Sequence, residues 1–198
     1  MSSANEIRRV DILMFDGVDE LDIVAPFEIL VSAGFDAKLV TLDDCPRVTG
    51  AHGMTVIPHR TLGPRPDVLV VPGGRWTSKA SDSAWGEVQR GDIPRVIADR
   101  HAAGSIVAGV CTGGMLIAAS GILRGRPAVT HRSALDDLRD YGVDVRPEAR
   151  VIDDGDVLTS GGVTSGIDLA LHVVERARGR AAALKEAARI EHEFRDGA

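Results

Sequence analysis

Residues 105–119 change from an apolar, β-branched run to an alanine-rich helical run within a few positions. Residues 106–110 read as a buried strand, and Cys111-Thr112-Gly113-Gly114 leads directly into the helix. A strand that turns this sharply into a helix holds its hinge residue at the carboxyl edge of a sheet, beside the free N–H groups of the first helical turn. The pattern therefore predicts that the Cys111 side chain points into a crevice.

Two interpretations of Cys111 follow from this placement. The same local geometry exposes the serine of a nucleophile elbow, which favours a chemical role for the thiol. Most free cysteines, however, are small buried hydrophobic side chains with no chemistry of their own. Spacing alone leaves both interpretations open.

The remainder of the chain alternates apolar strands with amphipathic helices. We predict the main strands at 8–15, 35–41, 67–74 and 106–110, shorter strands at 143–145, 150–152 and 157–159, and an irregular β-ribbon at 48–57. We predict helices from about 22–25 to 34, within 82–103 with a break near 91–94, at 133–141, at 167–178 and at 180–194. Strands too apolar to be half-exposed imply an α/β three-layer sandwich, a mostly parallel sheet with helices on both faces, as a single domain over 1–198.

Composition narrows the classes of partner. The formal net charge of −6 argues against nucleic-acid binding, which needs a clustered basic surface. No apolar run approaches the ~20 residues of a membrane-spanning helix, and the first nine residues lack the apolar core of a secretory signal. With only Cys45 and Cys111 present, we expect no disulfide framework and a reducing cytoplasmic location.

No CxxC or HExxH motif occurs, so we expect no metal and no other cofactor.

Several polar or glycine positions follow the predicted strands. Asp22 comes after the first strand and is either a functional carboxyl or a helix N-cap. Gly73 and Gly74 end the third strand, where their N–H groups would bind a negative oxygen or form an ordinary turn. His131 lies just before a helix and is either an acid/base group or a structural cap. The carboxyl ends of parallel strands meet at one edge, so these residues form a candidate site with Cys111.

These motifs together resemble the ThiJ/PfpI superfamily over nearly the whole chain. The resemblance is carried by Leu-Asp22-Ile-Val-Ala-Pro-Phe-Glu, Val-Pro-Gly-Gly74, Val-Cys111-Thr-Gly, Thr-His131 and Leu-Thr-Ser-Gly-Gly-Val-Thr-Ser-Gly-Ile-Asp168. It implies a flavodoxin-like fold, related to the class I glutamine amidotransferases. The Leu-Asp and Cys-Thr-Gly motifs look most like the isonitrile (isocyanide) hydratase branch. Protease-type members carry a histidine directly after the cysteine, and Thr112 stands there in this chain, so we expect no peptidase.

The resemblance also implies roles for individual residues. Cys111 would be the nucleophile, Asp22 its carboxylic partner, and Thr112 would complete an oxyanion or substrate-binding pocket with Gly73 and Gly74. His131 matches a family histidine near the nucleophile. A helix N-terminus lowers the pKa of a thiol, whereas an ionised carboxylate beside it raises that pKa. We therefore expect Asp22 to be protonated, or to share a proton, when Cys111 is a thiolate.

The predicted activity is addition of water to a small-molecule isonitrile to give an N-formamide. Two alternatives remain, a glyoxalase- or amidase-like cysteine enzyme and a non-catalytic redox sensor in which Cys111 is oxidised. Some superfamily members are sensor domains fused to a helix-turn-helix module, and we expect none after the predicted helix 180–194. The resemblance also implies a homodimer. No role is assigned to Cys45, which we place in a turn.

Overall fold

A seven-stranded sheet forms the centre of the structure, a computed structural model in which residues 7–194 are described. The strands are β1 (Arg9–Leu13), β2 (Asp36–Thr41), β3 (Val48–Thr49), β4 (Thr55–Val56), β5 (Arg60–Thr61), β6 (Val68–Val71), β7 (Ile106–Gly109), β8 (Pro127–Ala128), β9 (Asp144–Val145), β10 (Val151–Asp153) and β11 (Val157–Ser160). The order across the main sheet is β10-β11-β7-β6-β1-β2-β5. Every neighbouring pair is parallel except β10 with β11, which closes one edge as an antiparallel strand.

Helices cover both faces of this sheet. They are α1 (Glu20–Ser32), α2 (Ala84–Arg90), α3 (Asp92–Ala102), α4 (Gly113–Ala119), α5 (Leu135–Asp140), α6 (Ser165–Arg178) and α7 (Arg180–Arg189), with 3-10 turns at Trp76–Ser78 and Arg132–Ala134. Helices α1, α6 and α7 pack together as one layer, and α2 to α5 form the other. The predicted three-layer α/β sandwich with a mostly parallel sheet is confirmed.

Burial on both faces explains why the central strands are continuously apolar. All four residues of β6 are buried, as are Val107, Ala108 and Gly109 of β7. A strand covered on both faces gains hydrophobic stabilisation from every side chain, not from alternate ones. Because β7 lies between β6 and β11, the segments that follow these three strands meet at the middle of the carboxyl edge.

Two predicted helix boundaries are wrong. Helix α1 begins at Glu20, earlier than the predicted 22–25, because the side chain of Asp19 caps it by accepting the N–H of Leu21 at 3.2 Å. Pro26 consequently lies inside the helix, and Asp22 lies in its first turn and is not the N-cap. The last helix ends at Arg189 and not at residue 194, since Glu191 has a left-handed backbone with φ of 53°.

No helix within residues 7–194 is both long and apolar enough to cross a membrane. Residues 1–6, part of the segment inspected for a secretory signal, lie outside the described residues, as do residues 195–198.

Candidate active site

Cys111 occupies a tight turn between β7 and α4. Its φ is +54°, in the left-handed region that side chains other than glycine rarely adopt. The backbone is held there by hydrogen bonds from the Cys111 N–H to the Gly161 carbonyl at 3.0 Å and from the Thr130 hydroxyl to the Cys111 carbonyl at 2.7 Å. Such strain persists only where the surroundings impose it, and it is concentrated at functional sites. The predicted strand–Cys111–helix turn is therefore present, with the side chain only 6% exposed.

Glycine at position 113 makes this turn possible. A Cβ added to Gly113 would lie 2.0 Å from the carbonyl oxygen of Val71, at the end of the neighbouring strand. The first turn of α4 therefore approaches the backbone of β6 more closely than any side chain would permit. This close approach brings the Cys111 turn next to the segment that carries residues 73 and 74.

The Asp22 carboxyl is completely buried beside Cys111. Its Oδ2 accepts the N–H of Gly73 at 2.9 Å, whereas its Oδ1 is buried and has no hydrogen-bond partner within residues 7–194. Burial raises the pKa of Asp22 to about 8, and the Gly73 N–H and the Cys111 thiol offset only part of this effect. The carboxyl is therefore mostly protonated at neutral pH.

The Cys111 sulfur has two backbone donors, the N–H groups of Val163 and Thr112. Burial nevertheless raises the pKa of the thiol to about 12, and the negative charge of Asp22 adds to the increase. The expected lowering by the helix N-terminus is thus overcome by desolvation. In the resting state the site holds a neutral thiol next to a neutral carboxylic acid.

Gly73 and Gly74 have partners different from those we expected. The Gly73 N–H is used by Asp22, and the Gly74 N–H donates to the hydroxyl oxygen of Thr112 at 3.0 Å. In this structure buried oxygen atoms of the protein occupy both N–H groups, and the assignment of Gly73 and Gly74 to an oxyanion site stays a prediction. Since the Thr112 oxygen accepts this bond, its hydroxyl proton is available to donate.

His131 lies near the site, but its hydrogen bonds are made to Ser133. Its Nδ1 lies 2.8 Å from the Ser133 hydroxyl and accepts the Ser133 N–H at 3.2 Å, so the ring caps the 3-10 turn that follows. Among the described residues, no hydrogen bond links His131 to Cys111 or Asp22. Burial and the nearby Arg132 charge lower the pKa of His131, which keeps the imidazole neutral. The geometry favours the structural interpretation of this residue.

Sequence reasoning missed Val163 and Thr130. Val163 also has a left-handed backbone, with φ of +44°, and this conformation directs its N–H at the Cys111 sulfur. The only signal was the Thr-Ser-Gly-Gly-Val-Thr motif at the end of β11, which carries the family resemblance but does not indicate which donor it supplies. Thr130 precedes His131, and nothing in its local sequence indicates that it fixes the Cys111 carbonyl.

Two cavities adjoin the site, and Val163 lines both. One of about 420 Å³ lies between the 130–132, 148–150 and 161–165 segments. The other, more open and of about 530 Å³, is lined by Asp19, Glu20, Leu21, His52, Met54 and Val163. Both have the volume of a small-molecule site, and Val163, whose N–H contacts the Cys111 sulfur, borders each of them, whereas Cys111 itself lines neither. Within residues 7–194 no group of three or more His, Cys, Asp or Glu side chains is arranged to hold a metal ion.

Comparison with known proteins identifies the family of the chain. The model of the DJ-1/PfpI family matches residues 8–176, most of the chain. The chain belongs to the DJ-1/PfpI family. The family membership inferred from the sequence motifs is therefore confirmed.

Several members of the DJ-1/PfpI family are similar to this chain. Isonitrile hydratase of Pseudomonas putida is 33% identical over 170 residues, which is 84% of this chain and 71% of that protein. A deglycase of Pyrococcus abyssi is 30% identical over 157 residues, 77% of this chain and 89% of the relative. Among solved structures, a ThiJ/PfpI family protein from Pseudomonas syringae superposes with a TM-score of 0.82 at 26% identity, covering 96% of this chain and 77% of that one. Drosophila melanogaster DJ-1beta has a TM-score of 0.84 at 18% identity, covering 94% and 99%, and supports the fold alone.

Proposed function

We propose that this protein is a cysteine-dependent hydratase that adds water to small isonitriles and releases N-substituted formamides. The observation that carries the proposal is the buried pair of Cys111 and a protonated Asp22, held in one site by the Gly73 N–H. An isonitrile carbon must gain both a nucleophile and a proton at the same atom. A neutral thiol beside a neutral carboxylic acid supplies both without forming an isolated buried charge.

In the first step the Cys111 sulfur forms a bond to the terminal carbon of R–NC. Asp22 gives its proton to that carbon and takes up the thiol proton, so the acid is restored and a thioimidate, R–N=CH–S–Cys111, is formed. Because Oδ2 accepts the Gly73 N–H, the unpartnered Oδ1 is the oxygen that carries the transferable proton. The N–H groups of Val163 and Thr112 stabilise negative charge that develops on the sulfur.

In the second step water adds to the thioimidate carbon. One water proton passes to the substrate nitrogen, and the tetrahedral adduct R–NH–CH(OH)–S–Cys111 collapses. The C–S bond breaks, the hydroxyl proton returns to the sulfur through Asp22, and the products are R–NH–CHO and the free thiol. The Thr112 hydroxyl, which accepts from Gly74, donates to the adduct oxygen in this proposal. The sum is R–NC plus water giving R–NH–CHO.

The direct test follows formamide formation from an alkyl and an aryl isonitrile by chromatography. We expect turnover by the wild type and none above background by Cys111→Ala, with Cys45→Ala as the matched control that keeps full activity. Absence of turnover by the wild type, or equal turnover by Cys111→Ala, would rule the proposal out.

A second candidate reaction uses the same thiol on a carbonyl carbon. It is favoured by the similarity to the deglycase of Pyrococcus abyssi and corresponds to glyoxalase- or amidase-like chemistry. Lactate formation from methylglyoxal, with isonitriles left unchanged, would support it. If neither substrate reacts and mild peroxide converts Cys111 selectively to a stable sulfinic acid, the protein is a redox sensor instead.

We also infer that two copies associate through one apolar surface. We call it the α1–hairpin surface, and its exposed side chains are Val24, Val31, Met54 and Ile57, the last 76% exposed. Glu20 joins α1 to the β3–β4 hairpin by accepting the N–H groups of His52 and Met54. Because exposed apolar side chains on adjoining elements are typical of interfaces, a homodimer fits this surface. The proposed reaction requires Cys111 as a thiol, so we place the protein in a reducing compartment such as the cytoplasm.

A further inference from the structure

Both tryptophans and the only tyrosine of the chain lie in one surface pocket, which neither Cys111 nor Asp22 lines. Trp76 belongs to the 3-10 turn after β6, Trp85 to α2, and Tyr141 follows α5. Together with Lys79, Gln89, Asp137 and Asp140 they line a cavity of about 320 Å³, which we call the tryptophan pocket.

The two indole rings of the tryptophan pocket converge on one positive charge. The Lys79 ammonium nitrogen lies 4.7 Å from the centroid of the Trp76 ring and 5.9 Å from that of Trp85. Both distances are within the ~6 Å range over which an aromatic face attracts a cation. The side chains have therefore already formed a cation-binding arrangement, and a side chain of the protein occupies it.

Carboxylates add negative charge to the same pocket. Asp137 accepts the Trp76 indole N–H at 2.5 Å and the Lys79 ammonium at 3.3 Å. The indole hydrogen bond holds the pKa of Asp137 below its usual range, while burial and the charge of Asp137 raise the pKa of Tyr141. With Lys79 displaced, the pocket would carry two carboxylates, Asp137 and Asp140, and no cation.

We propose that the tryptophan pocket binds a small organic ammonium ion of the quaternary type, which takes the place of the Lys79 ammonium. Aromatic faces with nearby carboxylates select such ions because a quaternary ammonium is weakly hydrated and donates no hydrogen bonds. The cavity is at the lower end of the range for small-molecule sites and fits a ligand of about the size of choline. This site is separate from the proposed isonitrile reaction and does not depend on it.

Lys79 is free to leave the pocket. Its side chain is 48% exposed, and its ion-pair partner Asp137 is 44% exposed. Ion pairs between exposed side chains contribute little, and lysine has a long side chain that reaches solvent in many rotamers. Displacing the Lys79 ammonium by another cation therefore costs little free energy.

The experiment titrates the full-length protein with choline and follows intrinsic fluorescence. Since both tryptophans of the chain line this pocket, the whole tryptophan signal reports on it. The matched control ligand is 3,3-dimethylbutan-1-ol, which has the shape of choline without its charge, and potassium chloride controls for ionic strength. We expect a saturable change with choline only. Equal responses to choline and its neutral analogue, or none with either, would overturn the proposal.

Two variants test the assignment of the pocket. Lys79→Ala should tighten choline binding by about five-fold or more, because the competing ammonium is gone. Lys185→Ala, an exposed lysine on α7, is the control and should leave affinity unchanged. Asp137→Asn keeps an acceptor for the Trp76 indole but loses the charge, and should weaken binding by a similar factor. Unchanged affinity in both pocket variants would contradict the assignment even if choline binds.

Discussion

The Asp22 carboxyl and the Cys111 thiol share one buried site, and the charge of the first opposes ionisation of the second. Burial raises the pKa of Asp22 to about 8 and that of Cys111 to about 12. The pair therefore keeps both protons at neutral pH. The proposed reaction therefore begins by moving protons between neutral groups, unlike the reactions of cysteine enzymes that hold a thiolate at rest.

The first prediction concerns proton transfer by Asp22. Asp22→Asn retains an oxygen acceptor for the Gly73 N–H but cannot exchange a proton, so kcat for the isonitrile should fall by about 10²–10⁴. Asp136→Asn is the control, because the Asp136 side chain on α5 is 97% exposed and lies outside the proposed site. Steady-state kinetics checks both variants, and a loss of similar size in each would argue against a special role for Asp22.

The second prediction is the effect of the same substitution on stability. A carboxyl whose pKa is 3.8 unfolded and about 8 folded binds more protons in the folded state, so it lowers the free energy of unfolding as pH rises between these values. Between pH 5 and pH 8 this loss amounts to about 4 kcal/mol. Asp22→Asn should remove this dependence of the free energy of unfolding on pH. Urea unfolding of the wild type and the variant at pH 5, 6.5 and 8 measures it. Parallel pH profiles for the two proteins would contradict the high pKa.

The third prediction compares the two cysteines of the chain. Cys111 is 6% exposed and has a raised pKa, so it should react slowly with iodoacetamide at pH 7.5, whereas the more exposed Cys45 should be modified first. Peptide mass spectrometry over a time course separates the two sites. At pH 9, above the pKa of Asp22, Asp22→Asn should speed alkylation of Cys111 and leave Cys45 unaffected, because the ionised carboxylate beside Cys111 is lost. Preferential labelling of Cys111 in the wild type would show instead that its thiol is ionised.

The fourth prediction tests the close approach at Gly113. Gly113→Ala places a methyl group 2.0 Å from the Val71 carbonyl oxygen and should lower the free energy of unfolding by about 2 kcal/mol or more. The neighbouring Gly114→Ala meets nothing closer than 3.2 Å and should cost less. Chemical denaturation compares the two. Equal stability would mean that the turn after Cys111 relaxes without cost.

The fifth prediction addresses self-association. Ile57→Lys introduces a charge at the most exposed residue of the α1–hairpin surface and should shift the protein towards the monomer in sedimentation velocity. Leu184→Lys, on α7, is the control and should leave the distribution unchanged. A monomeric wild type, or a dimer that is insensitive to Ile57→Lys, would exclude this surface as the interface.

The sheet and the Cys111 turn were predictable from sequence because they depend on local patterns. Apolar runs such as Val68–Val71 identify buried strands. A cysteine between such a strand and a glycine-rich helix start must lie at the carboxyl edge of the sheet. Helix α1 was placed too late because Pro26 favours the first turn of a helix, whereas the cap formed by Asp19 determines the start.

The partners of the backbone donors could not be predicted. Whether the Gly73 N–H is free depends on the distance to Asp22, which is fixed by packing between segments far apart in the chain. The same holds for the Val163 N–H, whose direction results from a left-handed backbone that valine rarely adopts. The high pKa of Cys111 also depends on burial by distant segments, which outweighs the helix effect that the sequence indicated.

The position of Val163 in the chain has a consequence for biosynthesis. The thiol of Cys111 leaves the ribosome well before residue 163, which supplies one of its two hydrogen-bond donors and part of its enclosure. Until β11 joins β7 and the following turn closes, Cys111 is an ordinary accessible cysteine on a nascent chain. Oxidants and electrophiles would therefore damage newly made protein more readily than the mature protein.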